Sequence, residues 1–492
     1  MTQLFYKERT SVSLNNILLS NPYFAEHWKL IPLVIKFLNQ LLRWNHADNG
    51  FSSITYRRFE ARFHGEAIPV RDALESLGLL MVIRTWRKKG TNDKDDTGKC
   101  YDYYLTPKCQ RALADANRQY LYLLLTDKPT KRRNQKQISK RGHKIHGDVR
   151  DILKATVDGI TIDLNQVEKV VAKMPDGKAA FVWSLLVNIV RKDYSELAYN
   201  VKDGRVCTPY AQLPAEIRAI VKINDLIYQK TIDIRSCYPS LWAEYVITLC
   251  HDDPKSQAER ARWNNLFLNP DLDPKAVVAK SIGVSRDAIK EVMIQYFNGK
   301  IRGKAFKAFD GWISHEFPNL YTAWKKTDIK QTGNNIGKYF ETRLTLNKSI
   351  YEKAKELGVI IGYEYDGFSF FAKDDSNCDA LLTYIEQRSV ELLGVKLVFV
   401  DKTTDLIAYM AMGETDMLQK RVEDMNAKMK LVRMRCWRNG KDWKPFNDVR
   451  DVKYKLTDDH WKYTKAWAPY YALRDNRDGM LERLKELQAC ME

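Results

Sequence analysis

The stretch KTIDIRSCYPSLWAEYV, residues 230–246, decides how this chain is interpreted. A short apolar run ends at Asp233, and Arg235, Tyr238 and a Pro-Ser pair follow it closely. The run KTIDI is typical of a buried strand, so Asp233 is expected at a strand end. An aspartate in that position is more often a turn or capping residue than a metal ligand. Taken alone, the stretch leaves both interpretations open.

Length, charge and cysteine content limit the classes of protein to consider. The chain has 492 residues, 45% of them hydrophobic, and a formal net charge of +18. Such a length is typical of about three domains. The positive charge favours a polyanionic partner, first of all nucleic acid, although a solvated basic surface would give the same composition. The 8 cysteines form no C-x-x-C pair, which disfavours a zinc ribbon or a disulfide framework.

Targeting signals do not stand out in the sequence. The opening residues MTQLFYKERTSVSLNN lack the apolar core of a secretory signal, and no apolar run is long enough to span a membrane. We therefore expect a cytoplasmic protein without a membrane partner.

Residues 1–125 have the element order of a winged helix-turn-helix. After a long apolar helix, a second helix with Pro69 in its first turn ends at Gly78. Two strands, at 79–86 and 100–106, flank a charged loop. Such modules place one helix in the major groove of DNA, but many bind only protein. The sequence therefore predicts a winged-helix-like domain and leaves its partner open.

Composition gives the remaining domain bounds. Residues 126–146 are rich in Lys and Arg and are expected to be a basic linker or a backbone-binding arm. Residues 147–412 regain a globular pattern and are predicted to form an α+β core. Residues 413–492 form a basic, aromatic C-terminal region.

A second candidate carboxylate lies in GVIIGYEYDGFSFFA, residues 358–372. This segment is rich in strand-forming residues and predicts a β-hairpin with Asp366 at or beside its turn. An aspartate on a hairpin tip and another at a strand end can hold divalent cations together. Mg²⁺ prefers hard oxygen ligands and keeps some of its sites for substrate phosphates.

The segment VSRDAIKEVMIQYFNGK, residues 284–300, predicts an amphipathic helix that begins near Ser285 and ends at Gly299. Its apolar stripe consists of Ile289, Val292, Met293 and Tyr296. Arg286, Lys290 and Ile294 repeat every four residues on the adjacent face. Two cations in register with an apolar side chain suit a nucleoside triphosphate, although a surface helix often carries the same residues.

These segments, in this order, resemble motifs of single-subunit palm-domain polymerases, namely family A DNA polymerases and phage-type RNA polymerases. RDAIKEVMIQYFNG has Arg286, Lys290, Ile294 and Gly299 at the spacing of their fingers-helix motif, with Asn298 in place of the tyrosine. DGRVCTPYAQLPAEIRAIV, residues 203–221, resembles their stretch that carries a primer-template arginine.

The two catalytic motifs of these polymerases have counterparts as well. IDIRSCYPSL, residues 232–241, resembles the form that the first motif takes in family B DNA polymerases. YEYDGFSFF, residues 363–371, takes the place of the second, with Tyr365 and Gly367 replacing the usual neighbours of the aspartate. The resemblance covers about residues 200–375 and indicates a divergent member from a phage, plasmid or other mobile element, in a prokaryotic host or phage-infected cell.

The resemblance implies a fold and a set of site residues. The fold is an α+β right-hand core with an antiparallel palm sheet and helical fingers. Two Mg²⁺ ions, with Mn²⁺ as an alternative, would be held by Asp233, Asp366 and the carbonyl group of Ile234. The catalytic residues would be Asp233, Asp366, Lys290 and Arg286. The nucleotide would contact Arg286, Lys290, Ile294, Tyr238 and Asn298, and the primer-template would contact Arg205, Arg218 and Asn335.

Tyr238 bears on the product. It follows the first catalytic aspartate by five residues, where DNA polymerases carry a bulky group against the sugar 2′ position. The resemblance thus implies a DNA-directed DNA polymerase without a proofreading exonuclease, which uses dNTPs on a primer-template, and we expect it to bind origin DNA through its N-terminal domain. An RNA polymerase or primase on the same fold, and a non-catalytic DNA-binding replication initiator, are the alternatives.

Overall fold

The chain combines many helices with small antiparallel sheets, as predicted for an α+β protein. The computed structural model describes residues 12–47, 52–63, 65–86, 99–126, 140–192, 198–199, 204–250, 253–297, 304–327 and 332–411, with scattered helical positions between 416 and 485. None of the described helices is both long and apolar enough to cross a bilayer. Almost all of the C-terminal region predicted for residues 413–492 lies outside the described residues.

The elements up to residue 190 are mostly helical. The helices are α1 (Val12–Leu19), α2 (Pro22–Glu26), α3 (Ile31–Ala47), α4 (Tyr56–Phe63), α5 (Ala67–Ser76), α6 (Pro107–Thr126), α7 (Lys140–Asp158), α8 (Leu164–Val171) and α9 (Asp176–Val190). The strands are β1 (Ser52–Thr55), β2 (Leu80–Trp86), β3 (Lys99–Leu105) and β4 (Ile160–Thr161).

Among the described elements after residue 190, the longest strand is β8 (Ile227–Ile234). The strands are β5 (Ala198–Tyr199), β6 (Val206–Cys207), β7 (Lys222–Ile223), β8 (Ile227–Ile234), β9 (Ile360–Tyr363), β10 (Gly367–Ala372) and β11 (Phe399–Asp401). The helices are α10 (Pro209–Gln212), α11 (Ala215–Arg218), α12 (Cys237–Ile247), α13 (Pro254–Phe267), α14 (Pro274–Ile282), α15 (Arg286–Phe297), α16 (Lys304–Glu316), α17 (Pro318–Lys325), α18 (Thr332–Ile336), α19 (Thr342–Thr345), α20 (Lys348–Glu356), α21 (Ser376–Leu393) and α22 (Thr403–Ala411).

The chain divides into two compact units. The first comprises residues 1–131, 164–191 and 409–492, and the second comprises residues 132–163 and 192–408. The segment 164–191 thus belongs to the first unit, whereas the core predicted from the sequence includes it. Helix α7 begins at Lys140, so the last part of the predicted basic linker is helical. The other predicted domain bounds stay predictions.

The first unit contains a three-stranded antiparallel sheet in the order β1-β3-β2. The helices α4 and α5 lie between β1 and β2 in sequence, and α5 is followed by Gly78 at a φ of 66°, a left-handed turn that stops the helix. The sheet and helices share one apolar core in which Phe37, Phe59 and Tyr103 pack ring against ring. The predicted helix with Pro69 and the two predicted strands are all present.

The second unit contains a four-stranded antiparallel sheet in the order β11-β8-β10-β9. The predicted hairpin is formed by β9 and β10, and residues 364–366 make its turn. Ile232, Ile234, Phe368 and Phe370 alternate along β8 and β10 and belong to the buried core. That alternation follows from the two-residue period of a strand, and it places Thr231, Asp233 and Ser369 on the opposite face.

Helices α12, α13, α15, α16 and α17 of the second unit meet around an aromatic core. Trp263 is fully buried, its ring centroid lies 4.4 Å from that of Trp242, and its indole N–H donates to the carbonyl of Pro239 at 2.7 Å. The apolar stripe predicted for the helix at 284–300 is buried here, and Tyr296 donates from its hydroxyl to Asp310 at 2.5 Å. The cationic face of that helix is therefore turned away from the core.

Replacement of Trp263 by Ala should destabilise the second unit strongly. Deletion of a buried aromatic side chain leaves a cavity and typically costs about 3–5 kcal/mol. Urea unfolding followed by far-UV circular dichroism would measure the loss. Tyr339, which is 54% exposed, is the control, because its replacement by Ala should cost less than ~0.5 kcal/mol. Equal stability of the two variants would contradict the assignment of this core.

Candidate functional site

Strand pairing brings the two predicted carboxylates together. In the β8–β10 ladder Asp233 lies opposite Gly367, and the N–H of Ile234 donates to the carbonyl of Asp366 at 2.9 Å. A Cβ atom at position 367 would lie 2.5 Å from the carbonyl oxygen of Ile232 and 3.3 Å from Oδ1 of Asp233. Only glycine permits this approach, which explains the Asp-Gly pair at the hairpin tip. The prediction that Asp366 lies at the turn and Asp233 at a strand end is confirmed.

Asp233 acts electrostatically on Asp366. Burial raises the pKa of Asp366, and the negative charge of Asp233 raises that pKa further. Arg205 and Lys402 act in the opposite direction. The ammonium group of Lys402 contacts Oδ2 of Asp233. Two carboxylates and the ammonium group of Lys402 therefore lie close together at this end of the strands.

The oxygen atoms available here suit a hard divalent cation that takes only a few of its ligands from the protein. No group of three or more His, Cys, Asp or Glu side chains is arranged to hold a metal within the described part of the chain. Asp233 and Asp366 lie at the ends of neighbouring strands. A bound cation would relieve the repulsion between their carboxylates. Mg²⁺ commonly takes one or two carboxylates and completes its shell with waters and phosphates. The predicted third ligand, the carbonyl group of Ile234, belongs to the same strand end.

The predicted triphosphate residues lie on the exposed face of α15. Ile294 is 57% exposed, and Lys290 is exposed as well. Arg286 is half-exposed, and its Nε lies 2.5 Å from Oδ2 of Asp273, the residue that caps α14. The predicted start of this helix is confirmed, but Asn298 lies outside the described residues.

The sequence did not single out Lys275 and Lys402, which belong with these cations. Burial lowers the pKa of Lys275, and the positive charges of Lys290, Arg286 and Lys402 lower it further. Lys402 contacts Asp233 and also acts electrostatically on Lys275, so it lies between the carboxylates and the cations of α14 and α15. The one sequence signal for Lys275 is its place after Asp273 and Pro274, since Asp-Pro-Lys marks the first turn of a helix.

Arg235 holds the segment that leads into α14, the helix that carries Lys275. Its guanidinium donates to four carbonyl groups, that of Phe267 at the end of α13 (3.3 Å) and those of Asn269, Pro270 (3.1 Å) and Leu272 (3.0 Å) in the turn before α14. This turn leads directly to Asp273 and Lys275. A residue two positions after Asp233 therefore fixes the start of α14 against the end of β8.

Arg205 lies in a buried polar cluster beside the hairpin tip. It forms two hydrogen bonds with the carboxylate of Glu341, Nε to Oε1 at 2.6 Å and Nη2 to Oε2 at 2.5 Å. Nη2 also donates to the hydroxyl of Tyr238 at 3.0 Å, and the guanidinium lies over the rings of Tyr238 and Tyr365. Glu341 is fully buried.

The other predicted primer-template residues also make internal contacts. Arg218 lies 2.6 Å from Glu364 and donates to the carbonyl of Leu213 at 3.0 Å, with only 14% of its side chain exposed. Asn335 donates to the hydroxyl of Tyr245 at 2.9 Å. Contact of these two residues with nucleic acid stays a prediction.

No protein-family model matches the chain, and no curated protein matches it.

Replacement of Arg235 by Gln should loosen the turn before α14 without unfolding the sheet. The change removes hydrogen bonds from a charged donor, each worth about 1.5–3 kcal/mol. Amides in residues 267–275 should therefore exchange with solvent roughly 100-fold faster, measured by hydrogen exchange and mass spectrometry, while amides of β8 should keep their protection.

The matched control is Arg262→Gln. Arg262 donates to a single carbonyl, that of Glu316 at 2.8 Å, so its replacement should leave the exchange of residues 267–275 unchanged. Unchanged exchange in the Arg235 variant would show that the turn is held by other contacts.

Proposed function

We propose that the second unit is a template-directed nucleotidyltransferase, most specifically a DNA polymerase that uses dNTPs on a primer-template. The pairing of Asp233 with Gly367 supports this best, because it brings two carboxylates together at the ends of β8 and β10, with Lys402 in contact with one of them. Family A DNA polymerases and phage-type RNA polymerases, which the sequence resembles, have carboxylates and cations in the same order along the chain.

Each group of residues has a part in such a reaction. Bound Mg²⁺ ions would supply Lewis acidity toward the primer 3′-hydroxyl and the departing pyrophosphate. Asp233 and Asp366 would hold and orient those ions. Arg286 and Lys290, assisted by Lys275, would bind the phosphates and stabilise the charge that develops on the leaving group.

Ile294 and Tyr238 would contact the base and the sugar. Ile294 follows Lys290 by one helical turn on the same exposed face, so it would reach the base when the cations meet the phosphates. Tyr238 lies in the first turn of α12, after the strand that carries Asp233, with its ring held against Arg205. A ring fixed beside the 2′ position leaves no space for a hydroxyl group, which favours dNTPs over NTPs.

The first unit supports a winged-helix interpretation in its element order. Helix α3, strand β1, helices α4 and α5 and strands β2 and β3 follow one another, and β1 pairs with β3. The exposed side chains of α5 include Ile68 and Asp72 but no Arg or Lys, since Arg71 is buried and paired with Asp72. This favours a protein contact by α5, and binding of origin DNA by the unit stays a prediction.

The first test of the proposed function is primer extension by the purified chain. Extension with dNTPs and Mg²⁺ should be abolished by a chelator and should fall at least ~1000-fold in Asp233→Asn and in Asp366→Asn, because neither variant keeps both anionic ligands. Asp379→Asn is the control, since this aspartate is largely exposed and pairs with Lys230 away from the sheet edge.

Two results would contradict the proposal. Tight binding of duplex DNA without any synthesis would favour a non-catalytic initiator. Extension by the Asp233→Asn protein at the unmodified rate would show that this carboxylate is not in the active site.

Sugar choice gives a second test. Tyr238→Val removes the ring that crowds the 2′ position, so incorporation of NTPs should rise about tenfold or more relative to dNTPs, which corresponds to roughly 1.4 kcal/mol. The measurement is the ratio of kcat/KM for a dNTP and its matching NTP on one primer-template. A preference of the unmodified protein for NTPs would favour the RNA polymerase or primase alternative.

A further inference from the structure

We propose that the ion pair between Arg205 and Glu341 fixes the ring of Tyr238 and thereby sets how strongly the site prefers dNTPs over NTPs. This makes Glu341 and Arg205 positioning residues for sugar selection. The inference rests on the proposed polymerase function and deepens it, since the resemblance assigns Arg205 only to the primer-template.

Glu341, Arg205 and Tyr238 form a chain of contacts, here called the relay, in which each residue contacts the next. Glu341 engages Arg205 through both carboxylate oxygens, at 2.6 and 2.5 Å. The same Nη2 of Arg205 then donates to the hydroxyl of Tyr238 at 3.0 Å. The Cζ atom of Arg205 lies 5.6 Å from the ring centroid of Tyr238. Arg205 therefore contacts Tyr238 through both the hydroxyl and the face of its ring.

A planar guanidinium is suited to this task. Paired through two parallel hydrogen bonds, it has one orientation, whereas a lysine ammonium could rotate. Glu341 is fully buried, so its charge needs the arginine, and loss of either partner would leave the other charge unpaired. A ring held at its hydroxyl and its face cannot swing away to admit a 2′-hydroxyl group.

The backbone brings the partners together across a long stretch of sequence. Gly204 has a φ of 74°, and a Cβ atom there would lie 3.3 Å from Oγ1 of Thr342 and 3.4 Å from Cα of Lys338. Gly204 therefore packs directly against the segment that carries Glu341. The close approach and the positive φ both favour glycine at this position.

The relay also reaches the hairpin tip. The Cζ atom of Arg205 lies 5.4 Å from the ring centroid of Tyr365, which precedes Asp366 and has a φ of 67°. A non-glycine residue in the left-handed region needs support from its surroundings. The guanidinium thus contacts the sugar-selecting tyrosine and the neighbour of a catalytic aspartate, so we expect changes in Arg205 to affect rate as well as selectivity.

The test compares sugar selectivity in variants that remove one step of the relay each. Tyr238→Phe removes the hydroxyl and keeps the Arg205–Glu341 pair, and Glu341→Gln removes the charge that orients Arg205. The measured quantity is the ratio of kcat/KM for a dNTP to that for its matching NTP. Each variant should lower the ratio roughly tenfold, the order expected for loss of one hydrogen bond to a charged group. The double variant should fall no further than the lower single variant.

The matched control is Glu244→Gln. Glu244 forms the same kind of buried pair with Arg260, at 2.7 and 2.6 Å, and follows Tyr238 by six residues on α12. A purely structural role lowers kcat/KM for both sugars alike and leaves their ratio unchanged. The control should therefore keep the ratio of the unmodified protein even if its rates fall.

The outcomes separate this inference from the proposed function. Normal ratios in both Tyr238→Phe and Glu341→Gln, with synthesis intact, overturn the relay and leave the polymerase proposal in place. An equal drop in Glu244→Gln also overturns it, as does an unmodified protein that prefers NTPs. Should Glu341→Gln fail to fold, Tyr238→Phe decides the question by itself. Absence of any synthesis by the unmodified protein removes both proposals.

Discussion

The pairing of β8 with β10 is the constraint on which the rest of the site depends. A strand alternates its side chains between two faces, so the ladder that buries Ile232 and Phe368 also sets Asp233 opposite Gly367. Glycine at that position allows the hairpin tip to approach the strand end, and Asp366 is thereby fixed by backbone hydrogen bonding to Ile234. The placement of the two carboxylates therefore follows from the strand register together with the tight turn at residues 364–366.

The cationic side of the site is attached to the same strand end. Arg235 follows Asp233 by two residues and binds the carbonyl groups of the turn before α14, while Asp273 caps that helix and pairs with Arg286. Helix α14 therefore connects the sheet edge with α15. This explains why an arginine with no evident role in the motif stands next to the aspartate. The carboxylates and the cations of α14 and α15 are therefore connected through the end of β8 and the start of α14.

Residues that depend on local periodicity could be predicted, and residues that depend on contacts between distant segments could not. The strand at Asp233, the hairpin at Asp366 and the buried stripe of α15 follow from spacing and turn residues, and all are present. Arg235, Lys275 and Lys402 gave no comparable signal, because their positions depend on how α14 and β11 pack. The assignment of 164–191 to the first unit likewise follows from tertiary packing, since an apolar helix fits either core.

The ion pairs of the second unit fall into two classes, and the difference bears on what can change during a reaction. The pairs of Lys402 with Asp233 and of Arg286 with Asp273 each have a half-exposed cation, and such exposed pairs contribute about 1 kcal/mol or less. A phosphate or a divalent cation can therefore exchange with these partners at small cost. Arg205 with Glu341 and Arg218 with Glu364 are largely buried, where loss of one partner typically costs about 3–5 kcal/mol. The first class lies where substrate charge would enter, and the second class surrounds the hairpin tip. Substrate charges would thus replace partners in the exposed ion pairs, whereas the buried ion pairs would stay intact and hold the hairpin tip in place.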